Sequence, residues 1–321
     1  MNFNDSRVLI TGGAGFIGSN LAKFLLEEGA KITIFDDFST GSMWNIREIL
    51  NYVTVVKGDI RDFESVKKAV ADQDFVFHLA ANASVPISTK NPRYDFEVNA
   101  FGTLNVLEAL LNLGSKAPLI FASSAAVYGE PKSIPIPEEY PLRPASPYGT
   151  SKLAGEVLCR TFCHVYGLPT ICFRYFNVYG PLQRKYVMFD IMNKLRKRHD
   201  RLEVLGTGNQ IRDFIYISDA MDVTLLLART PSAFGEVYNV GTGIGTTIRE
   251  LVNLILQVTS LQHKTKVLYT NESWKGDAQK LVADIIKIKE YGFRPKIELK
   301  TGLTRFIHWC NTSYLQEQGD V

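Results

Sequence analysis

Tyr148 and Lys152 form a Tyr-x-x-x-Lys pair, and Ser124 lies upstream in the run Phe121-Ala122-Ser123-Ser124-Ala125-Ala126-Val127-Tyr128. Residues four apart share a helix face, so the lysine ammonium can sit near the phenol. A cation at roughly 4–6 Å favours the phenolate and can lower a phenol pKa by roughly 1–3 from about 10. A bound nicotinamide cation acts in the same direction. Such a tyrosine comes within reach of general acid/base work near neutral pH. The spacing alone is weak, because a chain with fourteen tyrosines offers a second pair, Tyr128 with Lys132. Gly129 and Pro131 break any helix across that second pair. The first pair instead opens a run from Ser151 to Gly167, with Leu153, Val157, Leu158, Phe162 and Val165 on one stripe. Gly167-Leu168-Pro169 supplies its stop signal. The plain alternative is a solvent-facing pair at a helix start.

A nicotinamide needs a nucleotide site, and the first strand-like segment ends in one. Thr11-Gly12-Gly13-Ala14-Gly15-Phe16-Ile17-Gly18 satisfies both G-x-G-x-x-G and G-x-x-G-x-x-G. The first glycine serves a tight turn, the next lets backbone approach a pyrophosphate, and the last lets helix and strand pack closely. The following helix N-terminus offers free N–H groups to phosphates. The second strand ends in Asp36, as the dinucleotide fingerprint requires. A carboxylate there accepts from ribose hydroxyls and repels a 2′-phosphate, which favours NAD over NADP. A simple loop aspartate is the alternative. Asp59-Ile60, after the third strand, is placed to meet the adenine edge.

These residues need a scaffold that brings strand ends together. Short apolar runs at 7–11, 31–35, 52–57, 75–79, 119–123 and 170–174 alternate with amphipathic segments such as 17–28, 64–71 and 98–113. Near-continuous apolar strands joined by helices imply an α/β fold, a doubly wound parallel sheet covered on both faces. After Arg174 the rhythm changes. A loop rich in aromatics, Pro and Gly (175–186) precedes a helix at about 188–198, strands at 202–205 and 214–217, and a helix at 219–229 that Ser218 can cap. The expected division is a nucleotide-binding domain over 1–176 that takes back about 212–242. A smaller mixed α/β substrate lobe takes 177–211 and 243–321.

Composition excludes several classes. Hydrophobic residues make up 45% and charged residues 21%, as in a soluble globular protein, and a net charge of +3 gives no strong attraction to nucleic acid or membrane. The basic run Lys194 to Arg201 reads most simply as the solvated end of a helix, with an anion-attracting rim as the alternative. Cys159, Cys163, Cys172 and Cys310 form no C-x-x-C, and Cys159 and Cys163 read as small core residues. The five histidines show no metal-ligand spacing, so no metal is expected. The chain passes from Met1-Asn2-Phe3 almost directly into a strand-like segment, and nothing approaches the ~18 apolar residues of a membrane span. The cytoplasm is the default expectation.

Taken together, the ordered motifs closely resemble the extended short-chain dehydrogenase/reductase family, in its nucleotide-sugar epimerase/dehydratase branch. The matching pieces are 11–18, Asp36-Asp37-Phe38-Ser39-Thr40-Gly41, Gly58-Asp59-Ile60-Arg61-Asp62, His78-Leu79-Ala80-Ala81 and Asn99-Ala100-Phe101-Gly102-Thr103. They continue through 123–129, 148–152, Arg174-Tyr175-Phe176-Asn177-Val178-Tyr179-Gly180-Pro181, Arg212-Asp213-Phe214-Ile215-Tyr216 and Tyr238-Asn239-Val240-Gly241. The resemblance implies a Rossmann domain, bound NAD, and a nucleotide sugar held by the later lobe. It makes Tyr148 the acid/base, Lys152 the group that orients the nicotinamide ribose, and Ser124 a hydrogen-bonding partner of the reacting hydroxyl. It assigns NAD contacts to Gly12, Gly15, Phe16, Ile17, Asp36, Asp37, Phe38, Ser39, Thr40, Gly41, Asp59, Ile60, Leu79, Ala80, Ala81, Asn99, Ser123, Tyr148, Lys152, Tyr175 and Val178. It assigns substrate contacts to Val85, Ser124, Ala126, Tyr148, Asn177, Arg212, Lys275 and Asp277. Asn177 and Arg212 would touch the diphosphate, where arginine supplies bidentate donors; a salt bridge of Arg212 with Asp213 is the bland reading.

Relatives that dehydrate carry an acid pair directly after the Ser/Thr, and this chain has Ala125-Ala126. That departure points to C4 epimerisation through a 4-keto sugar, with a nucleotide-sugar 4-ketoreductase as the main alternative and a non-catalytic dinucleotide-binding regulator as a remote one. Where many relatives read Arg-Pro-Gly-Asp, this chain reads Trp274-Lys275-Gly276-Asp277, and a lysine would not reproduce a bidentate fork. Leu281 leaves tolerance of N-acetylated sugars open. UDP leads among UDP, dTDP, GDP and CDP. The resemblance also implies a homodimer through the helices around 98–113 and 151–166, although their apolar stripes equally suit burial against the sheet.

Overall fold

Val8 and Ile10 belong to one buried apolar cluster and Leu9, between them, to another, which is the signature of a strand covered on both faces. The structure, a computed structural model, describes residues 2–272 and 278–312. Its strands in chain order are β1 Arg7–Thr11, β2 Lys31–Asp36, β3 Val53–Lys57, β4 Phe75–His78, β5 Leu119–Ser124, β6 Thr170–Tyr175, β7 Asn177–Tyr179, β8 Arg201–Val204, β9 Ile211–Tyr216, β10 Val237–Val240, β11 Gly245–Thr247, β12 Lys266–Tyr269 and β13 Lys280–Leu281. Seven of them form one sheet in the order β10-β6-β5-β4-β1-β2-β3, every pair parallel. This is the expected doubly wound sheet, extended by β10 beyond β6. The order reverses between β1 and β4, which opens a crevice at their carboxyl ends.

The helix Phe16–Glu27 packs against Ile217–Ala228 on one face, and Phe63–Val70, Gly102–Asn112 and Pro147–Tyr166 cover the other. Strand and helix ends fall within a few residues of the expected ones, with two differences. The segment expected as one helix from 98 begins as a π-helix, Glu97–Phe101, before Gly102–Asn112 continues it. Ser218 is not a cap. β9 runs to Tyr216, the chain turns directly into the helix at Ile217, and Ser218 already lies inside it.

The later segments build a second sheet around β9. Its first half lies between antiparallel β11 and parallel β13, and its second half pairs with β7. β8 and β12 form a separate parallel pair. A bridge from Ile136 to Ala283 ties this region to the loop after β5. No helix among the described residues is long and apolar enough to cross a membrane.

Candidate active site

The Tyr148 helix starts one turn earlier than its apolar stripe indicates, and the stripe divides between two faces, with Phe162 buried and Val157 and Val165 exposed. Ser146 caps it by accepting from the Gly149 N–H at 3.1 Å, Pro147 occupies the first turn, and Gly167 closes it in the left-handed region at φ 66°. Gly149 lets the helix press on the turn after β5, since a Cβ there would lie 2.6 Å from the Ala126 carbonyl oxygen. That approach sets the Tyr148 phenol beside Ser124, close enough for the Ser124 hydroxyl to favour the phenolate. Ser124 also caps its own turn, accepting from the Ala126 N–H at 3.2 Å.

Lys152 is 3% exposed and donates to the Ala122 carbonyl at 2.8 Å. Burial draws its pKa down to about 8, against the charge of Asp95. The phenol of Tyr148 moves the other way from the expectation: burial pushes its pKa up, the Ser124 hydroxyl opposes this, and Asp95 adds to it. The lowering expected from Lys152 does not appear. The ammonium is committed to the Ala122 carbonyl, and burial outweighs the remaining field. The rival pair is separated by structure as well as by spacing. The Tyr128 hydroxyl donates to Asn239 Oδ1 at 2.7 Å and accepts from Arg174 Nη1 at 2.8 Å, deep in the core.

Asp95 is a participant that sequence reasoning missed. Fully buried, it accepts from Ser151 Oγ at 2.6 Å, Asn82 Nδ2 at 2.7 Å and Asn99 Nδ2 at 3.3 Å. Burial pushes its pKa up, with those hydrogen bonds and Lys152 opposing. Its signal was faint, one aspartate on a separate short helix, Pro92–Phe96. Beside it, the Thr103 hydroxyl is committed to the Asn99 carbonyl at 2.6 Å, so His78 Nε2 must donate to Thr103 and Nδ1 must accept from Thr11. His78 is therefore neutral, with a pKa held at about 3 by burial and by the Lys152 charge.

The glycine turn fits a dinucleotide. Gly12 has φ 69°, and a Cβ on it would meet the Ala80 nitrogen at 2.7 Å, so β1 and β4 can approach only at a glycine. Leu79 and Ala80 close that contact, donating to the Thr11 carbonyl and hydroxyl at 3.1 and 3.2 Å. Gly15, Phe16 and Ile17 lead into the helix N-terminus. Asp36 Oδ2 accepts from the Ala14 N–H at 2.9 Å and Oδ1 from the Phe38 N–H at 2.8 Å. Burial raises its pKa against those two bonds. A Cβ at Gly41 would sit 2.8 Å from the same carboxylate, so Asp36 faces a side-chain-free edge. Asp37 accepts from Ser39 N–H and hydroxyl at 2.8 and 2.6 Å, shaping the turn that carries Thr40. A backbone-lined turn beside a buried carboxylate is the donor and acceptor set that the pyrophosphate and ribose of NAD require.

Other expected contacts are more committed. The Asp59 carboxylate is gripped by Arg61, with Nε at 3.0 Å from both oxygens, and this lowers its pKa; Ile60 accepts from Asn105 Nδ2 at 3.0 Å. Ser123 donates to Glu156, which is paired with Arg174 at 2.8 Å. The Tyr175 hydroxyl bonds to Thr224 at 2.7 Å, and the Val178 carbonyl accepts from Gln183. Asn177 starts β7. Arg212 Nη1 donates to the Ile211 carbonyl at 2.9 Å, whereas Asp213 accepts from Thr242, Gly243 and Ala283. Val85 opens the helix Val85–Lys90, and Ala81 lies on the approach to it. Lys275 and Asp277 lie outside the described residues. Tyr186 is a second missed participant, close enough to Tyr148 for the two phenols to act on each other electrostatically.

A family model described as GDP-mannose 4,6 dehydratase matches residues 9–306. The chain is 31% identical to a UDP-glucose 4-epimerase of Mycolicibacterium smegmatis, over 94% of this chain and 98% of that one. The structure of a UDP-N-acetylglucosamine 4-epimerase from Methanobrevibacter ruminantium, in complex with UDP-N-acetylmuramic acid, superposes with TM-score 0.89 at 32% identity, covering 97% of this chain and 99% of that one. A Thermus thermophilus UDP-glucose 4-epimerase in complex with NAD gives TM-score 0.85 at 32% identity, covering 96% and 99%. Motif order, strand order and relatives agree: this chain belongs to the extended short-chain dehydrogenase/reductase family.

Proposed function

We propose that the protein is an NAD-dependent nucleotide-sugar 4-epimerase acting on a UDP-hexose or UDP-N-acetylhexosamine. The observation that carries this reading is the placement of the Tyr148 phenol beside Ser124, at a turn whose next residues are Ala125 and Ala126. The turn holds a hydroxyl partner and an acid/base, but no carboxylic acid to drive dehydration. NAD, when bound, accepts a hydride from the sugar and returns it. Tyr148 takes the proton of the 4-hydroxyl and gives it back, and Ser124 orients that hydroxyl. Lys152 holds positive charge beneath the site, and Asp36 faces the ribose. Asn177 and Arg212 anchor the diphosphate, so the keto sugar can turn while the nucleotide stays. The epimerases named above support the substrate class.

The lobe division at 176, the site roles and a cytoplasmic location belong to the same proposal. So does a homodimer, supported by exposed Phe101, Val157, Val165 and Tyr166 on the outer sides of the helical layer that buries Val106, Leu110 and Phe162 inward. The test is to incubate the protein, with no added NAD, with UDP-glucose, UDP-galactose and their N-acetylated counterparts, following stereochemistry by NMR. Interconversion of a C4 pair is expected. Failure with every pair overturns the reading, and net NADH consumption with a 4-keto sugar would replace it with a ketoreductase.

A further inference from the structure

The loop at 180–186 crosses from the second lobe back over the nucleotide-binding lobe, and it is tied there at three points. The Pro181 carbonyl accepts from Asn20 Nδ2 at 3.2 Å, Arg184 Nη2 donates to Asn45 Oδ1 at 3.2 Å, and the Tyr186 hydroxyl donates to the Ala83 carbonyl at 2.8 Å. Asn45 in turn donates to the Ala14 carbonyl at 2.8 Å, inside the glycine turn. The first two ties therefore anchor the loop beside the glycine turn, and the third reaches the segment beside Tyr148.

The third tie is made by a residue in a strained conformation. Tyr186 has φ 72°, a conformation that aromatic residues rarely hold and that persists only where surroundings enforce it. The residue is 55% exposed over its whole surface, yet packing around its hydroxyl end, with the Tyr148 phenol adding to it, pushes its pKa well above the ordinary range. Its partner Ala83 begins a short segment that also touches Tyr148. Ser88 Oγ accepts from the Tyr148 N–H at 3.1 Å and donates to the Val85 carbonyl at 2.8 Å. The wall at 83–88 is thus hung between the Tyr148 helix on one side and Tyr186 on the other.

We propose that Tyr186 is a latch: its hydroxyl, held on the Ala83 carbonyl, keeps the 180–186 strap closed over the sugar pocket, so that a 4-keto sugar turns inside without escaping. This rests on the epimerase reading. A keto sugar that leaves before hydride returns strands reduced cofactor on the protein, so escape is directly visible.

The experiment compares wild type, Tyr186→Phe and Tyr186→Gly in two measurements. The Phe variant keeps the ring and removes the tie; the Gly variant also relieves the positive φ, so it has no backbone reason to misfold. Amide hydrogen exchange across 84–88, read without substrate, should be roughly 2- to 12-fold faster in the Phe variant, as expected for one lost hydrogen bond, and at least as fast in the Gly variant. During turnover of UDP-galactose, the fraction of protein carrying NADH, followed by its fluorescence, should rise in the same order. Unchanged exchange in both variants refutes the tie. Faster exchange with no added NADH build-up refutes the retention role. An inactive wild type with exchange behaving as expected removes the epimerase reading and the retention role together, and leaves the tie standing.

Discussion

Replacing Lys152 with methionine isolates one buried charge and its cost. The side chain is 3% exposed, and burial draws its pKa from 10.5 to about 8. At about 1.4 kcal/mol for each tenfold, holding the ammonium in the folded chain costs about 3 kcal/mol relative to the unfolded chain. Below pH 8 the lysine is charged in both states and this cost is fully present. Between 8 and 10.5 the folded chain binds fewer protons than the unfolded one, so stability rises with pH until the cost is gone. The Lys152→Met variant carries no such dependence. The wild-type protein should therefore gain about 2–3 kcal/mol on the variant between about pH 7 and about pH 10. Urea unfolding of both proteins, freed of nucleotide and measured across that range, gives the difference at each pH, and groups common to both cancel. Parallel curves would refute the claim that the lysine is charged at a cost; a wild type that loses stability relative to the variant as pH rises would reverse its sign.

Tyr148→Phe should lower turnover by roughly 10²–10⁴ while NAD stays bound, read by coupled assay and by nucleotide content after purification. Asp36→Ala removes the carboxylate proposed to face the ribose, and should shift preference toward NADP by roughly tenfold or more, since a like-charge contact costs several kcal/mol; fluorescence titration with both nucleotides checks it. Glu156→Gln leaves the Arg174 guanidinium buried without its carboxylate partner and should cost about 3–5 kcal/mol in urea unfolding.

The strands and the glycine turn were legible because their signals are local: a run of apolar residues, a Gly spacing, an Asp at a strand end. The Tyr148 helix was legible for the same reason, although its true start depended on Ser146 and Pro147, which precede the apolar stripe. What escaped reading were relations set by folding. Asp95 acts on Lys152 by its charge and is tied to the Lys152 helix by Ser151, 56 positions away in the chain, and nothing in the aspartate's neighbourhood announces that. Tyr186 meets Ala83 across 103 positions, with a positive φ that no propensity favours. The phenol pKa was misjudged because pair spacing reveals which charges are near but not how deeply they are buried.

The seventh strand has a consequence for how the chain is made. β10 completes the nucleotide-binding sheet along the edge of β6, yet it emerges from the ribosome more than sixty residues later, after β7 and β9, which belong to another sheet, and after β8. Until Val237–Val240 arrives, β6 presents a row of unpaired backbone groups on a strand buried at every residue in the finished protein. Such an edge is a template for pairing with another chain. A fragment ending at 176 would hold every glycine of the nucleotide turn and still lack the strand that seals it. The chain must therefore be made as far as Val240 before this sheet is safe in solution.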